Sequence, residues 1–174
     1  YRHPREFADL LDLLADVSGD YLVRQIDAGA DAVQIFDSWS GVLDEACFDA
    51  FCVAPVTRMV ARVRAAHPYV PIIGFPKGAG TFYGGYREKT GVTALGLDWT
   101  VPMGQATELQ KQGAVQGNLD PLRLVAGGEQ MEVRAREIVR AFADRPHIFN
   151  LGHGIVPQTP IAHLERLIDV VRGS

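Results

Sequence analysis

A single histidine, His153, stands between two glycines in the run Asn150-Leu151-Gly152-His153-Gly154-Ile155. Small neighbours leave its imidazole open to a ligand, and imidazole carries charge or a proton near neutral pH. That setting points to proton transfer or to binding of an anionic group. A second cluster is Phe36-Asp37-Ser38-Trp39-Ser40-Gly41. Asp37 or Ser40 taken alone reads as a helix cap, but the whole cluster reads as a pocket wall. Phe75-Pro76-Lys77-Gly78-Ala79-Gly80 brings glycines and a lysine together. Glycines let backbone N–H groups approach an anion, and they also serve a tight turn with positive φ; both readings stand. The run matches neither a Walker A loop nor a dinucleotide fingerprint. The Asp98 carboxylate suits a ligand or a neighbouring loop. In Gln116-Gly117-Asn118-Leu119-Asp120-Pro121 the turn chemistry assigns Asn118 and Asp120 to organising the loop. Ser38 and Ser40 lack a nucleophile elbow, so nothing supports a hydrolase triad. His3, His67, His147 and His163 have no setting like that of His153 and read as surface or core residues.

These clusters need elements that hold them. Phe7, Leu10, Leu11 and Leu14 recur at helical spacing and predict a helix from about Pro4 to Ala28, with Gly19 marking a break. Short apolar runs predict five strands: Ala32–Phe36, Pro71–Phe75, Thr93–Asp98, Ala114–Gln116 and His147–Leu151. Helical patterns follow each. One has its main part begun by Pro55, and others lie near Phe82–Lys89, Pro102–Gln110, Pro121–Val125 and Glu129–Ala143. The last covers Pro160–Val171, with Thr159 as N-cap and an apolar stripe of Ile161, Leu164, Leu167, Ile168 and Val171. Strand–helix alternation predicts a parallel α/β sheet whose strands are covered on both faces. Either an open doubly wound sheet or part of a (β/α)₈ barrel fits, and both place ligands at the C-terminal ends of the strands. All the clusters above fall there.

Composition narrows the class. The chain has 174 residues, 47% hydrophobic and 22% charged, as a single soluble domain requires. It is too short for a whole barrel, which takes roughly 250 residues. A net charge of −4 leaves no basic footprint, so no nucleic-acid partner is expected. No apolar run reaches the roughly 20 residues that a membrane span needs, and Tyr1 opens amid charged residues, unlike a signal peptide. Tyr1 in place of Met suggests that the natural N-terminus lies upstream. Cys47 and Cys52 form no secreted disulfide framework, so a cytoplasmic location and buried free thiols are expected.

The strand-end motifs, in their order, resemble the uroporphyrinogen decarboxylase family. The resemblance rests on QIFDSWSG (Gln34–Gly41), GLDWTV (Gly96–Val101), QGNLDP (Gln116–Pro121) and NLGHGIVPQTP (Asn150–Pro160). It covers essentially all of residues 1–174 and corresponds to the C-terminal half of the family's single (β/α)₈ barrel domain. The resemblance implies a carboxy-lyase of haem and porphyrin biosynthesis. Such an enzyme removes the four acetate carboxylates of uroporphyrinogen III to give coproporphyrinogen III, and usually works as a homodimer. It implies no metal and no organic cofactor, because the pyrrole is itself the electron sink. Carried over by motif, Ser38 matches the substrate-binding hydroxyl and Phe36 an aromatic wall. His153 matches the late histidine that contacts a substrate carboxylate and takes the catalytic role in proton delivery. The family's N-terminal PxWxMRQAGR segment, its pyrrole-binding Asp and its site tyrosine have no counterpart here. The resemblance therefore implies about five of eight strands, an absent N-terminal half and a fragment inactive alone. Three alternatives stand beside it. One is a zinc-dependent corrinoid or thiol methyltransferase on the same barrel; it needs a His-x-Cys pair at a strand end, where Phe75-Pro76-Lys77 stands. Another is a non-catalytic tetrapyrrole- or anion-binding domain. The third is an open α/β phosphate-binding protein using Gly78–Gly80.

Overall fold

The computed structural model describes residues 1–173. Helix α1 covers Pro4–Asp27, with proline in its first turn, where a missing N–H leaves no helical bond unmade. Gly19 does not break it, contrary to expectation. A Cβ at Gly19 would meet the Cβ and Cγ of Arg62 at 3.0 Å, so the glycine serves close helix packing instead. Strand β1 (Val33–Asp37) follows. Helix α2 (Glu45–Phe48) is capped by the Asp44 carboxylate, which accepts from Cys47 N. It passes through a π turn at Asp49–Val53 into α3 (Ala54–Ala66), whose first turn holds Pro55 as expected. The α1–α3 seam is lined by Asp16–Arg58 and Asp20–Arg62 ion pairs at 2.5 and 2.6 Å. Both pairs are solvent-exposed, so they orient the helices more than they stabilise them.

Strand β2 (Ile72–Pro76), helix α4 (Tyr86–Thr90) and strand β3 (Ala94–Gly96) come next. Between β2 and α4 the chain makes a 3₁₀ turn at Gly80–Tyr83, where a longer helix was expected. Then follow α5 (Met103–Lys111), β4 (Val115–Leu119), α6 (Pro121–Ala126), α7 (Gly128–Ala141), β5 (His147–Leu151) and α8 (Ile161–Arg172). Strand β3 is half as long as expected and β4 longer. Thr159 is not the cap of α8: Pro160 occupies that position, with no side-chain cap bond. The α8 stripe also differs, because Leu167 and Val170 are buried whereas Ile161 and Ile168 are exposed.

The chain divides into two compact units, Tyr1–Leu95 and Gly96–Ser174. In the first, β1 runs parallel to β2 in the register Val33↔Ile72 to Asp37↔Pro76, and β2 runs parallel to β3 through Ile73↔Ala94 and Gly74↔Leu95. In the second, β4 and β5 are parallel from Val115↔His147 to Leu119↔Leu151. The five strands and their helices form the α/β arrangement that the alternation predicts. Strands β2, β3 and β4 are buried throughout, whereas β1 mixes buried and more open positions and β5 alternates between half-buried and exposed ones. Within its own unit, each of these two strands has a partner on one side only. In the second unit Glu132 on α7 accepts from Arg166 on α8 at 2.6 and 2.8 Å and from Arg136 at 2.9 Å. Those guanidinium hydrogen bonds, Arg166 first, pull its carboxyl down to about 2.

Candidate functional site

In the first unit the C-terminal ends of β1 and β2 are built against each other. Asp37 Oδ1 accepts from Trp39 N at 3.1 Å and turns the chain sharply out of β1. Ser40 is buried, and its hydroxyl donates to Lys77 O at 2.8 Å. Gly41 N donates to the same carbonyl at 3.1 Å, and Lys77 N donates to Asp37 O at 2.9 Å. A Cβ at Gly41 would lie 2.6 Å from Gly78 O, and Gly78 has φ +76°. The glycines of the Phe75–Gly80 run thus serve backbone packing and a left-handed turn. The turn reading of that run holds, and nothing else is needed to explain it.

This interlock leaves Phe36, Ser38 and Trp39 exposed. Ser38 is exposed, and the hydrogen bonds that fix the loop run through Asp37 and Ser40 rather than through its hydroxyl. Phe36 is 68% exposed and makes an edge-on contact with Phe75, centroids 5.9 Å apart. An aromatic wall and an uncommitted hydroxyl therefore share one strand end. Beneath them lies an apolar cleft of about 450 Å³. Phe7, Leu14, Phe36, Asp37, Trp39 and Cys52 are among its lining residues, and Ser38 is not. Cys52 is buried and Cys47 half-buried, both as free thiols. Burial, reinforced by the Asp37 carboxylate, pushes the Cys52 thiol well up, so it stays protonated and inert.

In the second unit the Asp98–Val101 turn meets residues at the ends of β4 and β5. Asp98 lies two residues past β3, fully buried, and its carboxylate accepts from Thr100 N at 2.8 Å and from the Thr100 hydroxyl. It orients a loop, as one of its two readings anticipated. Asn118, on β4, is 2% exposed and donates its amide to Asp98 O at 3.2 Å and Val101 O at 3.0 Å. Asp120 caps α6 by accepting from Leu122 N at 2.9 Å. His147, at the start of β5, shares a 2.6 Å hydrogen bond with Gly117 O. Burial pulls its imidazole down in pKa. His153 follows β5 on an exposed loop, its ring edge-on to Trp99 with centroids 6.4 Å apart. A Cβ at Gly152 would sit 2.3 Å from Trp99 N. Gly152 is thus required by backbone contact, and it sets the position of the histidine after it.

Phe36 and Ser38 therefore lie together on the first unit and His153 on the second, each exposed at the C-terminal end of a strand. Sequence reasoning passed over Trp99 and Gly152. The spacing of GLDWTV and NLGHG held no sign of their contact.

The family model described as uroporphyrinogen decarboxylase (URO-D) matches residues 1–174. The chain belongs to the uroporphyrinogen decarboxylase family. It is 62% identical over 172 residues to a protein of that name from Chelativorans sp. strain BNC1, covering 99% of this chain and 50% of the relative. It is 63% identical over 174 residues to one from Mesorhizobium japonicum, covering 100% of this chain and 51% of the relative. A third, from Brucella anthropi, is 62% identical over 174 residues. The chain thus spans about half the length of the curated relatives it matches. Uroporphyrinogen decarboxylases have (β/α)₈ barrels, and five parallel strands alternating with helices fit a portion of one. No helix among the described residues is long and apolar enough to cross a membrane.

Proposed function

We propose that this chain is the C-terminal half of a uroporphyrinogen decarboxylase, whose complete barrel converts uroporphyrinogen III to coproporphyrinogen III. The observation that carries the reading is identity of 61–63% over 99–100% of the chain to proteins of that name. The strand ends support it, since Phe36, Ser38 and His153 are exposed where a barrel holds its ligand.

The chemistry asks little of a cofactor. A pyrrole ring carbon takes up a proton, and the C–C bond to the acetate carboxylate breaks. Carbon dioxide leaves as the bond electrons flow into the protonated ring. The exposed methylene carbon then takes a proton to become a methyl group, and the ring carbon returns its own. The protein has to hold a polyanionic macrocycle and place protons and charge. In this reading Ser38 donates a hydrogen bond to substrate, Phe36 walls one side of the macrocycle, and His153 binds a carboxylate and delivers a proton. The complete protein works as a homodimer in the cytoplasm on this small-molecule tetrapyrrole, without nucleic acid, membrane or metal.

The test uses the full-length protein and the chain alone. The full-length protein converts uroporphyrinogen to coproporphyrinogen, and residues 1–174 alone do not. In the full-length protein His153→Ala lowers kcat/KM by at least roughly 10²-fold. Ser38→Ala costs about tenfold, the value of one lost hydrogen bond. No turnover by the full-length protein would overturn the reading.

A further inference from the structure

We propose that Trp99 is a positioning residue for His153, fixing the direction in which the imidazole meets its ligand. The reaction it serves is the one proposed above, and the proposal rests on that reading. Much structure holds the partly exposed Trp99 indole in place. Leu97 and Val101, on either side, are 1% and 3% exposed and supply the loop's core packing. Trp99 is 38% exposed, so filling the core does not explain it.

The turn that carries it is closed on every side. Val101 N donates to Asp98 O at 3.2 Å, and the buried Asp98 carboxylate accepts from Thr100 N at 2.8 Å. The Asn118 amide ties the carbonyls of Asp98 and Val101 to β4. Asn118 Oδ1 has no hydrogen-bond partner among the described residues, but the paired buried groups, Asn118 Nδ2 and the Asp98 carboxylate, hold the turn to β4 and to itself. The loop after β5 is bonded to β4, where Gly152 N donates to Leu119 O at 2.7 Å, and it abuts the turn, since Gly152 leaves no room for a side chain against Trp99 N. The residue after that glycine is His153, and its ring meets the indole at an interplanar angle of 89°.

An exposed side chain gives up rotamer freedom when it packs against a rigid neighbour, and aromatic pairs favour the edge-on geometry seen between Trp99 and His153. Trp99 thus narrows the directions in which the imidazole can point, as a site that binds or protonates one carboxylate at a time needs.

The experiment uses the full-length protein. In the wild type, NMR shows an NOE between the Trp99 ring and His153 Hε1. The His153 signal, assigned by its absence in His153→Ala, is displaced by the indole ring current. Trp99→Leu abolishes that displacement and lowers kcat/KM about tenfold, whereas Trp99→Phe, which keeps an aromatic edge, stays within about threefold of wild type. In the His153→Ala background Trp99→Leu has no further effect, because its action runs through the histidine. An equal loss in both backgrounds overturns the proposal, and so does absence of the NOE in the wild type, which needs no variant to fold. If the protein turns over no uroporphyrinogen, the assigned reaction falls, and the NOE and ring-current measurements still decide whether Trp99 directs His153.

Discussion

Two residues of the second unit show how much depends on single contacts. Gly152 sits where a Cβ would lie 2.3 Å from a backbone nitrogen, and backbone cannot step aside as a flexible side chain can. Gly152→Ala is expected to destabilise the protein by roughly 1–3 kcal/mol through overpacking, and to displace His153. Denaturation midpoints check the first effect and kcat/KM the second; a fully active, fully stable variant would refute the contact. Asn118→Ala leaves two carbonyls without their amide donor. It is expected to cost roughly 1–3 kcal/mol, the penalty for buried polar groups losing a partner. Asn118 was legible as a loop-organising residue from its turn context. Its partners were not, because they lie 20 and 17 positions away on a different strand end. The same holds for Trp99: its type is visible in GLDWTV, but its neighbour His153 lies far along the chain, after β5, and no local pattern connects the two. Ser38 and Phe36 were singled out through the family resemblance alone; the contiguous cluster by itself pointed to a pocket wall without saying which of its members face outward.

Among the elements, periodicity located every strand and nearly every helix, since the apolar runs are short and bounded by glycine and proline. The failures have local causes. Gly19 reads as a break because glycine is a poor helix former, yet tertiary packing against Arg62 outweighs that preference. The α8 stripe was displaced because a helical pattern gives a face without saying which edge of it meets a neighbour. Strand β5 carries the clearest pH-sensitive contact. Burial holds the His147 imidazole below its usual pKa, against the pull of the Gly117 carbonyl. In the unfolded chain it titrates near about 6.5. Above that value it is neutral in both states and its contribution is complete. As pH falls through that value the unfolded state takes up a proton that the folded state resists, and stability is lost until the lower folded value is passed. Denaturation of the full-length protein at about pH 7.5 and about pH 5.5 should show this loss. His147→Phe, which keeps the ring stacked on Phe142, should show a smaller one. Equal pH dependence in the two proteins would remove His147 as the cause.

On the scale of the whole molecule, one helix of the first unit leaves an apolar face exposed. Leu10, Leu13, Leu14, Val17 and Tyr21 are 49–63% exposed along one side of α1. That spacing is the apolar stripe of a helix that packs against something. Contiguous apolar surface of this kind marks an interaction site or a liability to aggregate, and strand edges without partners add to it. Relatives of the family are about twice this length, so the stripe suits a cover drawn from the rest of a barrel. Residues 1–174 expressed alone are therefore expected to self-associate and to bind a hydrophobic dye. Co-expression with the complementary half of the proposed full-length protein should give one discrete species that no longer binds it. Val17→Lys separates the two causes of association. In the chain alone it should raise solubility by interrupting the stripe, and in the full-length protein it should lower stability by roughly 2 kcal/mol or more, because a charge would then be buried without a partner. A chain that is monomeric and dye-free alone, with Val17→Lys harmless in the full-length protein, would mean that this face meets water in both, and the stripe would need another explanation than an intramolecular partner.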